Sequence, residues 1–465
     1  MSTGQAIWAG ARAMLKVACV CGAGGLAFRM QVFDRPTSKN LANMFIKLFL
    51  PMLTFSKVSV AFTSDNIRFA GVIIAFGSGY LIFGHLVGIL VYLMFRNKMP
   101  VHLRKSLIPA TAFTNQGDLP LSIIVSLAGT GPFTSADVDK GVAFVAVWYS
   151  VFNLFFYAFS IRFFEADFAA LARVEDAADP ELEEVALSDN VRGDDGNDEE
   201  EADVLAKAPE SPTSSHSAAA ASPAGAATVT YVQEEANEGI PLAPMAPDDD
   251  ARTGTSPDLD PGASRLPRWP AQAWARVSSA YARVQANPLG RAVLFPPNVG
   301  LFLGLLAALV PGLHGLFFPL VTAPFSFVYD TAAFLGAAAV PISMTIFGAA
   351  LTTVDLDRAT LRQYPGVLWS GIVLAVYHLL LLPAIGIGMV YVATSAGWVP
   401  EEEKMLRFVL MAQGCMPTAQ ICVVITQYLH PRGESKEMAT IMLVQYAAAM
   451  VTLTGSLAFI FKAIA

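Results

Sequence analysis

Long apolar stretches separated by short polar segments make up most of the chain. Five stretches contain no Asp, Glu, Lys or Arg, four contain one or a few charged residues, and a tenth follows Asp330. About 20 predominantly apolar residues form a helix that crosses the hydrocarbon core of a bilayer, so each stretch predicts one membrane span. The predicted spans are residues 8–28, 41–62, 69–95, 106–128, 141–161, 292–310, 331–353, 365–393, 405–428 and 438–461.

A polar segment divides these spans into two groups of five. Residues 163–287 hold 25 of the 38 acidic residues but only 8 of the 30 basic ones, a net charge of −17 against +9 for the rest. A segment of this composition buries too little apolar surface to offset the entropy of ordering, which predicts a largely disordered loop. Within it, 270–285 is interpreted either as a short amphipathic helix or as a loose connection. The predicted organisation is a five-helix membrane repeat (1–162), an acidic loop (163–287) and a second five-helix repeat (288–465).

The composition excludes several classes of protein. The chain is 54% apolar and 15% charged, with a mean hydropathy of +0.50, which is far from the average of soluble proteins. The four cysteines lie in apolar stretches, which argues against a disulfide scaffold. The sequence has no stripe of basic residues that would indicate a nucleic-acid partner. We find no nucleophile–base pair, phosphate loop or metal cluster, so we predict neither an enzyme nor a bound metal or cofactor.

The basic residues of the short loops predict the orientation. Eleven Lys and Arg residues fall on one side of the predicted membrane and five on the other. Because cytosolic loops carry the excess of Lys and Arg, both termini are predicted to be lumenal or extracellular, and the long loop cytosolic.

Proline interrupts corresponding spans in both halves. Pro51 and Pro341 lie inside the second and seventh spans, where each marks a kink or helix break. The fourth span contains Asn-Gln-Gly-Asp-Leu-Pro (115–120) and the ninth contains Ala-Gln-Gly-Cys-Met-Pro (412–417). Since each half has an odd number of spans, the halves insert with opposite orientation. Paired interruptions in such an inverted repeat indicate discontinuous helices around a substrate site near the midplane.

The interrupted spans supply the candidate binding chemistry. A helix break frees backbone groups that lipid cannot satisfy, and a half-helix that begins near a proline presents free N–H groups to an anion. Asp118 is the one carboxylate placed deep in a span, so it is a candidate proton carrier, with a structural acceptor of N–H bonds as the alternative. The candidate substrate-binding residues are Asn115, Gln116, Gly117, Asp118, Pro120, Gln413, Gly414 and Pro417, and the candidate helix breaks are Pro51, Pro341, Pro120 and Pro417.

Three further polar residues lie in spans with two interpretations each. His85 and His378 occupy matching depths in the third and eighth spans, where each is a proton relay or a hydrogen-bonded packing residue. Lys57 contacts substrate or extends toward a membrane interface. The sequence leaves these alternatives open.

The chain resembles the auxin efflux carrier family, which comprises the PIN-FORMED and PIN-LIKES carriers of plants and their fungal relatives, with the PIN-LIKES and fungal branch most similar. The resemblance covers 1–162 and 288–465 and excludes the loop. It lies in Leu-Pro-Met-Leu-Thr-Phe-Ser-Lys (50–57), Asn-Gln-Gly-Asp-Leu-Pro-Leu-Ser-Ile (115–123), Asn-Pro-Leu (287–289) with Phe-Pro-Pro-Asn-Val-Gly (295–300), Ala-Val-Pro (339–341) and the segment from Arg407 to Pro417. PIN-LIKES carriers usually have Asn where this chain has Asp118.

The resemblance implies an all-α membrane protein of ten transmembrane helices in two inverted five-helix repeats, as in sodium/proton antiporters. The broken fourth and ninth helices would cross near the midplane. It also implies alternating-access transport of organic anions such as indole-3-acetate. Residence in the endoplasmic reticulum is expected, with the plasma membrane as the alternative. The expected partners are a small organic anion and the lipid bilayer; a homodimer and kinases acting on the loop are further hypotheses.

Two other functions are consistent with the pattern. A cation/proton antiporter of the same architecture would contain more intramembrane carboxylates than Asp118 alone. A membrane sensor or scaffold would signal through the loop, although no folded signalling domain is evident in 163–287.

Overall fold

The computed structural model describes residues 3–62, 67–127, 133–177, 279, 282–284, 287–354 and 362–464. Residues 1–178 and 283–465 form one compact unit, and most of the predicted acidic loop lies outside the described residues. The longer helices of the described chain are α1 (Thr3–Arg29), α2 (Arg35–Met44), α3 (Leu50–Ala61), α4 (Ile67–Phe95), α5 (Leu107–Ala112), α6 (Asp118–Ser126), α7 (Ser135–Phe155), α8 (Ile161–Ala177), α9 (Pro288–Val293), α10 (Pro296–Leu309), α11 (Pro311–Phe317), α12 (Ser326–Ala337), α13 (Ala339–Thr352), α14 (Pro365–Val376), α15 (Leu382–Ser395), α16 (Lys404–Gln413), α17 (Ile421–Leu429) and α18 (Lys436–Ile464).

The chain is a nearly all-helical membrane protein, as the apolar pattern predicts. Within the described ranges, seven continuous helical stretches are long and apolar enough to cross a membrane. An eighth stretch joins α10 and α11, which meet at an angle of 101° where Pro311 prevents continuation of the helix. The two remaining predicted spans, 106–128 and 405–428, are each divided into two short helices: α5 with α6, and α16 with α17.

The prolines of the second and seventh spans lie at irregular points of these helices. Pro51 is the second residue of α3, directly after a π-helical turn at Phe45–Phe49. Pro341 is the third residue of α13, which begins at Ala339 after α12 has ended at Ala337. A proline lacks the N–H and crowds the carbonyl four residues earlier, and a wide turn or a new helix start relieves both problems.

Glycine residues let several of the helices pack closely against their neighbours. A Cβ atom added to Gly84 of α4 would lie 2.7 Å from the Cα of Ala112 in α5, and one at Gly336 of α12 would lie 2.7 Å from the Cα of Leu53 in α3. Lipid provides little driving force for helix association, so packing of this kind holds membrane helices together. The short helix α5 is therefore fixed against a full-length span.

The fifth span continues beyond the predicted boundary of the acidic loop. The loop was predicted to start at 163, whereas α8 extends to Ala177 and buries Phe164 and Phe168. Asp167 is also buried, and one of its carboxylate oxygens accepts hydrogen bonds from Ser106 N (2.7 Å) and Ser106 Oγ (2.9 Å). Phe164 and Phe168 lie one helical turn apart on the buried face, and the Asp167 carboxylate is hydrogen-bonded. Both features keep the segment helical despite its charge. Of the predicted amphipathic stretch 270–285, only 279 and 282–284 are among the described residues.

Candidate functional site

The interruptions of the fourth and ninth predicted spans cross and bind each other through the main chain. Thr114 and Thr418 form an isolated antiparallel bridge. The N–H of Asn115 donates to Pro417 O at 2.7 Å, and the N–H of Ala419 donates to Phe113 O at 2.9 Å. Backbone groups freed by each break are thus satisfied by the other break, which is how non-helical backbone is tolerated at membrane depth.

This bonding gives a different register from the one expected from the sequence motif. The shared Gln-Gly-x-x-Pro frame aligns Pro120 with Pro417 and predicts that each begins a half-helix. In the structure Pro120 is the third residue of α6, but Pro417 lies in the extended segment ahead of α17. The two hydrogen bonds use the carbonyls of Pro417 and Phe113 as their acceptors, so Phe113, and not Pro120, occupies the position in its span that is equivalent to Pro417. The expected position of Pro417 is therefore wrong, because the ninth span stays extended through Thr418 in order to pair.

Buried side-chain amides surround the crossing. Asn115 Nδ2 donates to Tyr446 Oη at 3.2 Å, and Asn115 Oδ1 accepts from Leu119 N at 3.3 Å and so caps α6. Gln413 Nε2 donates to Gln116 O at 3.3 Å. The side-chain oxygens of Gln116 and Gln413 are buried without a hydrogen-bond partner, as are both amide atoms of Gln420. Since buried polar groups are normally paired, these atoms indicate a place where a ligand or water binds.

A cavity lies beside these amides. Asn115, Gln116, Gly117 and Gln420 supply its polar lining. Its apolar and aromatic lining comes from other elements, among them Phe45, Leu50, Leu53, Tyr149, Phe152 and Val340. Mostly apolar walls with a few convergent polar groups are typical of sites that bind small organic molecules.

Two further cavities continue from this one along α3, α7 and α12. The first shares Leu53, Gly117, Tyr149 and Val340 with it and adds Lys57. The second is also lined by Lys57 and adds Asp139 and Tyr329. The crossing is therefore connected by shared lining residues to a polar region near the ends of three helices.

Glycines keep the crossing narrow. A Cβ atom at Gly117, the residue before α6, would lie 3.1 Å from Tyr149 Cε2, and one at Gly414 would lie 2.9 Å from Tyr80 Oη. Both ring contacts are shorter than ordinary van der Waals distances, so a larger residue displaces a tyrosine. Gly117 borders the cavity directly, whereas Gly414 packs on the far side against α4.

The structure brings most of the predicted site residues to one crossing. Asn115, Gln116 and Gly117 line the cavity. The side chain of Gln413 donates a hydrogen bond to the main-chain carbonyl of Gln116. Asp118 is the first residue of α6. The Asp118 side chain lies outside what the structure describes. Pro51 and Pro341 lie in α3 and α13, from which Leu53 and Val340 reach the cavity.

Several lining residues were not among the sequence candidates. Gln420 and Ser343 are polar residues inside the ninth and seventh predicted spans, a signal that the sequence does contain. Tyr149 comes from α7, and nothing local to it distinguishes it from other span tyrosines. Lys57, for which the sequence left substrate contact as one of two interpretations, lines the adjoining cavities. Within the described ranges, no group of three or more His, Cys, Asp and Glu residues could hold a metal ion.

Comparison with known proteins identifies the family of the chain. The membrane transport protein family model matches residues 10–457. Protein PIN-LIKES 2 of Arabidopsis thaliana is 26% identical over 98% of this chain and 94% of its own length. Protein ECM3 of Saccharomyces cerevisiae is 25% identical over 36% of this chain and 27% of its own length, and the uncharacterized transporter YLR152C of that yeast is 28% identical over 32% and 25%. The chain therefore belongs to the auxin efflux carrier family of membrane transport proteins, whose motifs it carries at both interrupted spans.

Proposed function

We propose that this protein is a secondary carrier that moves small organic anions across a membrane by alternating access, with the substrate held at the crossing of the two broken spans. The proposed architecture is ten spans in two inverted five-helix repeats, with α5–α6 and α16–α17 as the broken fourth and ninth spans. The main support is the set of buried, unpartnered amide atoms of Gln116 and Gln420 on a largely apolar cavity.

The lining suits an aromatic or aliphatic carboxylate. Phe152, Tyr149 and Leu53 provide a surface for an apolar body. Gln420 Nε2 has no partner and is a free donor for a carboxylate oxygen, and Asn115 Nδ2 and the start of α6 lie on the same cavity. Neutral donors bind an anion without holding it as tightly as an ion pair would, which favours release after transport. An indole-3-acetate-like compound fits this description.

The adjoining cavities outline a route for the substrate. In the proposed orientation, with both termini outside the cytosol, Lys57, Asp139 and Tyr329 lie toward the non-cytosolic ends of their helices. The Lys57 ammonium would attract an anion toward the crossing, and Asp139 nearby would limit how strongly it is retained. The structure then corresponds to a state open toward the lumen or the extracellular side.

We further propose that Asp118 carries a proton during transport. It is the first residue of α6 and directly follows Gly117 on the cavity. A carboxylate at this depth is costly when ionised, so a change of protonation with access to either side is expected. A cation/proton antiporter would need several such carboxylates, and the described side chains that line the central cavity include no carboxylate.

Binding to the purified protein tests the substrate class. Thermal unfolding of the full chain in detergent should shift upward with indole-3-acetate or another small carboxylate, by an amount that grows with ligand concentration. Indole-3-ethanol, a matched neutral compound, and simple amines should shift it far less. A shift with sodium ions or amines and none with any carboxylate would favour the cation antiporter instead.

A further inference from the structure

Another cavity lies at the ends of two membrane spans that are opposite to Lys57 and Tyr329. It is lined by Arg35 at the start of α2, Thr353 directly after α13 and Ser435 directly before α18. The helical stretches that contain α2 with α3 and α12 with α13 are each long enough to cross a membrane. This cavity, called here the Arg35 cavity, therefore faces the membrane side opposite to the cavities lined by Lys57.

The proposed inverted repeat makes the Arg35 cavity the equivalent of the cavity that contains Asp139. In that repeat, α2 and α3 correspond to α12 and α13, and α7 corresponds to α18. The cavity with Asp139 lies between the end of α3, the start of α7 and the start of α12. The Arg35 cavity lies between the end of α13, the start of α18 and the start of α2. Each helix end that lines one cavity thus has its repeat-related helix end in the other.

The Arg35 cavity lies further along the helices of the central cavity but is not joined to it. In α13, Ser343 lines the central cavity and Ala350 lines the Arg35 cavity, about 10 Å further along the helix axis. Among the described residues the two cavities share no lining residue, whereas the cavity with Asp139 shares Leu53 with the central one. A path from the crossing is therefore present toward Lys57 and interrupted toward Arg35.

Two basic residues of α2 bind the turn between α17 and α18 across the Arg35 cavity. Arg35 Nη1 lies 3.0 Å from Glu434 Oε1, and Lys39 Nζ donates to Pro431 O at 2.8 Å. The two basic residues are one helical turn apart, so they bind from the same face of α2. Gly433 allows the close approach, since an added Cβ would lie 3.0 Å from Lys39 Cβ. These two polar contacts are called here the α2 clamp.

The opposite membrane side has no equivalent of this clamp in the described part of the chain. Lys57 and Asp139 line one cavity, but no acidic side chain of the described residues lies at ion-pair distance from Lys57. The α2 clamp itself is accessible to solvent, with 53% of the Arg35 side chain and 24% of the Glu434 side chain exposed. An exposed ion pair stabilises a structure only slightly, so it can break and form again as access alternates.

The polar lining of the Arg35 cavity suits an organic anion. The Ser435 side chain is buried, and its hydroxyl has no hydrogen-bond partner. Arg35 and Lys436 place two cations on the cavity, and Glu434 is the one carboxylate among its described lining residues. A buried polar group is normally paired, and a hydroxyl beside an excess of positive charge can donate to a carboxylate.

We propose that the Arg35 cavity is the second port of the carrier, through which the organic anion reaches the membrane side opposite to Lys57, and that the α2 clamp keeps this port closed while the Lys57 side is open. When the clamp opens, Arg35 and Lys436 attract the anion as Lys57 does on the other side. Opening of one port is accompanied by closure of the other. The identity of the anion rests on the proposed function, whereas the reciprocal change in access is measured without a substrate.

Thiol labelling of the full-length protein in lipid nanodiscs tests the two ports. Ser435→Cys reports on the Arg35 cavity and Ala333→Cys on the cavity with Asp139, each in protein whose exposed Cys19 is replaced by Ser. Ser435→Cys loses no hydrogen bond, because the hydroxyl has no partner. With Arg35→Gln and Lys39→Gln added, we expect a charged maleimide to label Ser435→Cys about two- to fivefold faster, the range for loss of an exposed ion pair, and Ala333→Cys correspondingly more slowly.

Two further variants separate the clamp from a general loss of charge. Arg432→Gln breaks an exposed ion pair with Glu175 (3.1 Å) that does not line the cavity, and it should leave both labelling rates unchanged. Arg35→Glu combined with Glu434→Arg restores an ion pair with reversed charges, and it should return both rates toward those of the parent. Unchanged labelling of Ser435→Cys in the clamp variant would overturn the proposal. Faster labelling of Ser435→Cys without slower labelling of Ala333→Cys would also overturn it, because that result shows local loosening.

Covalent closure of the port provides a second test if the clamp variant does not fold. Arg35→Cys and Glu434→Cys joined by a short cleavable bis-thiol reagent should stop uptake of labelled indole-3-acetate into proteoliposomes, and cleavage should restore it. Joining Arg432→Cys to Glu175→Cys in the same way should leave uptake unchanged. Full uptake by the protein joined at the clamp would overturn the port. Failure of the parent to take up any organic anion would count against the proposed function and not against the labelling result.

Discussion

The main-chain N–H of Asn115 donates a 2.7 Å hydrogen bond to the carbonyl oxygen of Pro417, so each broken span completes the backbone of the other. Tyr446 reinforces this link, since its hydroxyl accepts from the Asn115 side chain and donates to the carbonyl of Thr418. The residue that caps α6 on the cavity is thereby tied to the segment that precedes α17. A ligand that displaces one segment must act on both.

Replacing Gln420 should weaken transport without weakening the fold. Gln420→Met keeps the volume but removes two buried polar atoms that have no partner, so the free energy of unfolding should stay level or rise by about 1 kcal/mol. Loss of the donor should weaken anion binding by roughly tenfold, the equivalent of about 1.4 kcal/mol. Uptake kinetics and thermal unfolding measure the two effects.

Gln427 supplies the control for that variant. It is also buried in α17, but its Oε1 accepts from Ser38 Oγ at 3.1 Å. Gln427→Met should therefore lower thermal stability and leave the apparent affinity for the anion unchanged. Equal loss of affinity in both variants would contradict the assignment of Gln420 to the binding site.

A methyl group at Gly117 should narrow the cavity. The added Cβ would lie 3.1 Å from the Tyr149 ring, which also lines the cavity, so the ring must shift to make room. We expect Gly117→Ala to reduce transport of bulky aromatic carboxylates more than that of acetate. Gly388→Ala in α15 is the control, because its Cβ would meet nothing within 4 Å. Uptake of the two substrates by both variants gives the comparison, and equal reduction for both substrates would count against a steric effect at the site.

The apolar spans and the positions of the breaks could be predicted from the amino-acid sequence, because both follow from local chemistry. Apolar length defines a span, and the prolines at 120 and 417 with the glycines at 117 and 414 mark where helices cannot continue. The register of the crossing is not local. It depends on which main-chain groups meet across the molecule, so the motif alignment matched Pro417 with Pro120, whereas the carbonyl of Pro417 accepts a hydrogen bond from the N–H of Asn115.

The difference between the two histidines could not be predicted either. Their matching depth made them equivalent in the sequence, but the structure surrounds them differently. His85 contacts the carbonyl of Leu81 and the hydroxyl of Ser160. His378 instead contacts the carbonyl of Thr111, the amide of Gln445 and the hydroxyl of Thr418 at the crossing. Likewise, Gln420 became a candidate only when its amide was found buried without a partner. Hydrogen-bond partners contributed by distant spans leave no signature near the residue itself.

Substitution of Asp118 separates its two proposed roles. Asp118→Asn has nearly the same shape but cannot ionise. If Asp118 carries a coupled proton, the variant should bind substrate and lose the response of transport to a pH gradient. If Asp118 only accepts N–H bonds, thermal stability should fall while the pH response survives. Transport by the variant that follows the gradient as the parent does would rule out this carboxylate as the required carrier.

Acid should destabilise the protein through His430, which lies between α17 and α18. Burial is the main cause that lowers the pKa of His430 from 6.5 to about 4. The neutral ring is consistent with its contacts, since Nδ1 accepts from Arg432 N at 3.1 Å. Because the unfolded chain binds this proton more readily, stability is complete above about pH 6.5 and falls as the pH drops toward 4.

The variant His430→Gln should remove part of that loss. The difference in midpoint temperature between pH 7 and pH 5 should be smaller than in the parent protein, whereas substitution of the exposed His314 should leave it unchanged. Thermal unfolding in detergent at both pH values provides the measurement. An equal difference in His430→Gln and the parent would show that this ring does not account for acid sensitivity.

Uptake into proteoliposomes tests the central claim most directly. Labelled indole-3-acetate and simple carboxylates would be presented to vesicles that contain the parent protein, Gln420→Met or Gln427→Met, with and without a pH gradient. We expect saturable carboxylate uptake by the parent, about tenfold weaker apparent affinity in Gln420→Met and parental affinity in Gln427→Met. Indifference of the well-folded parent to every organic anion, or uptake that the loss of the Gln420 amide does not alter, would contradict it.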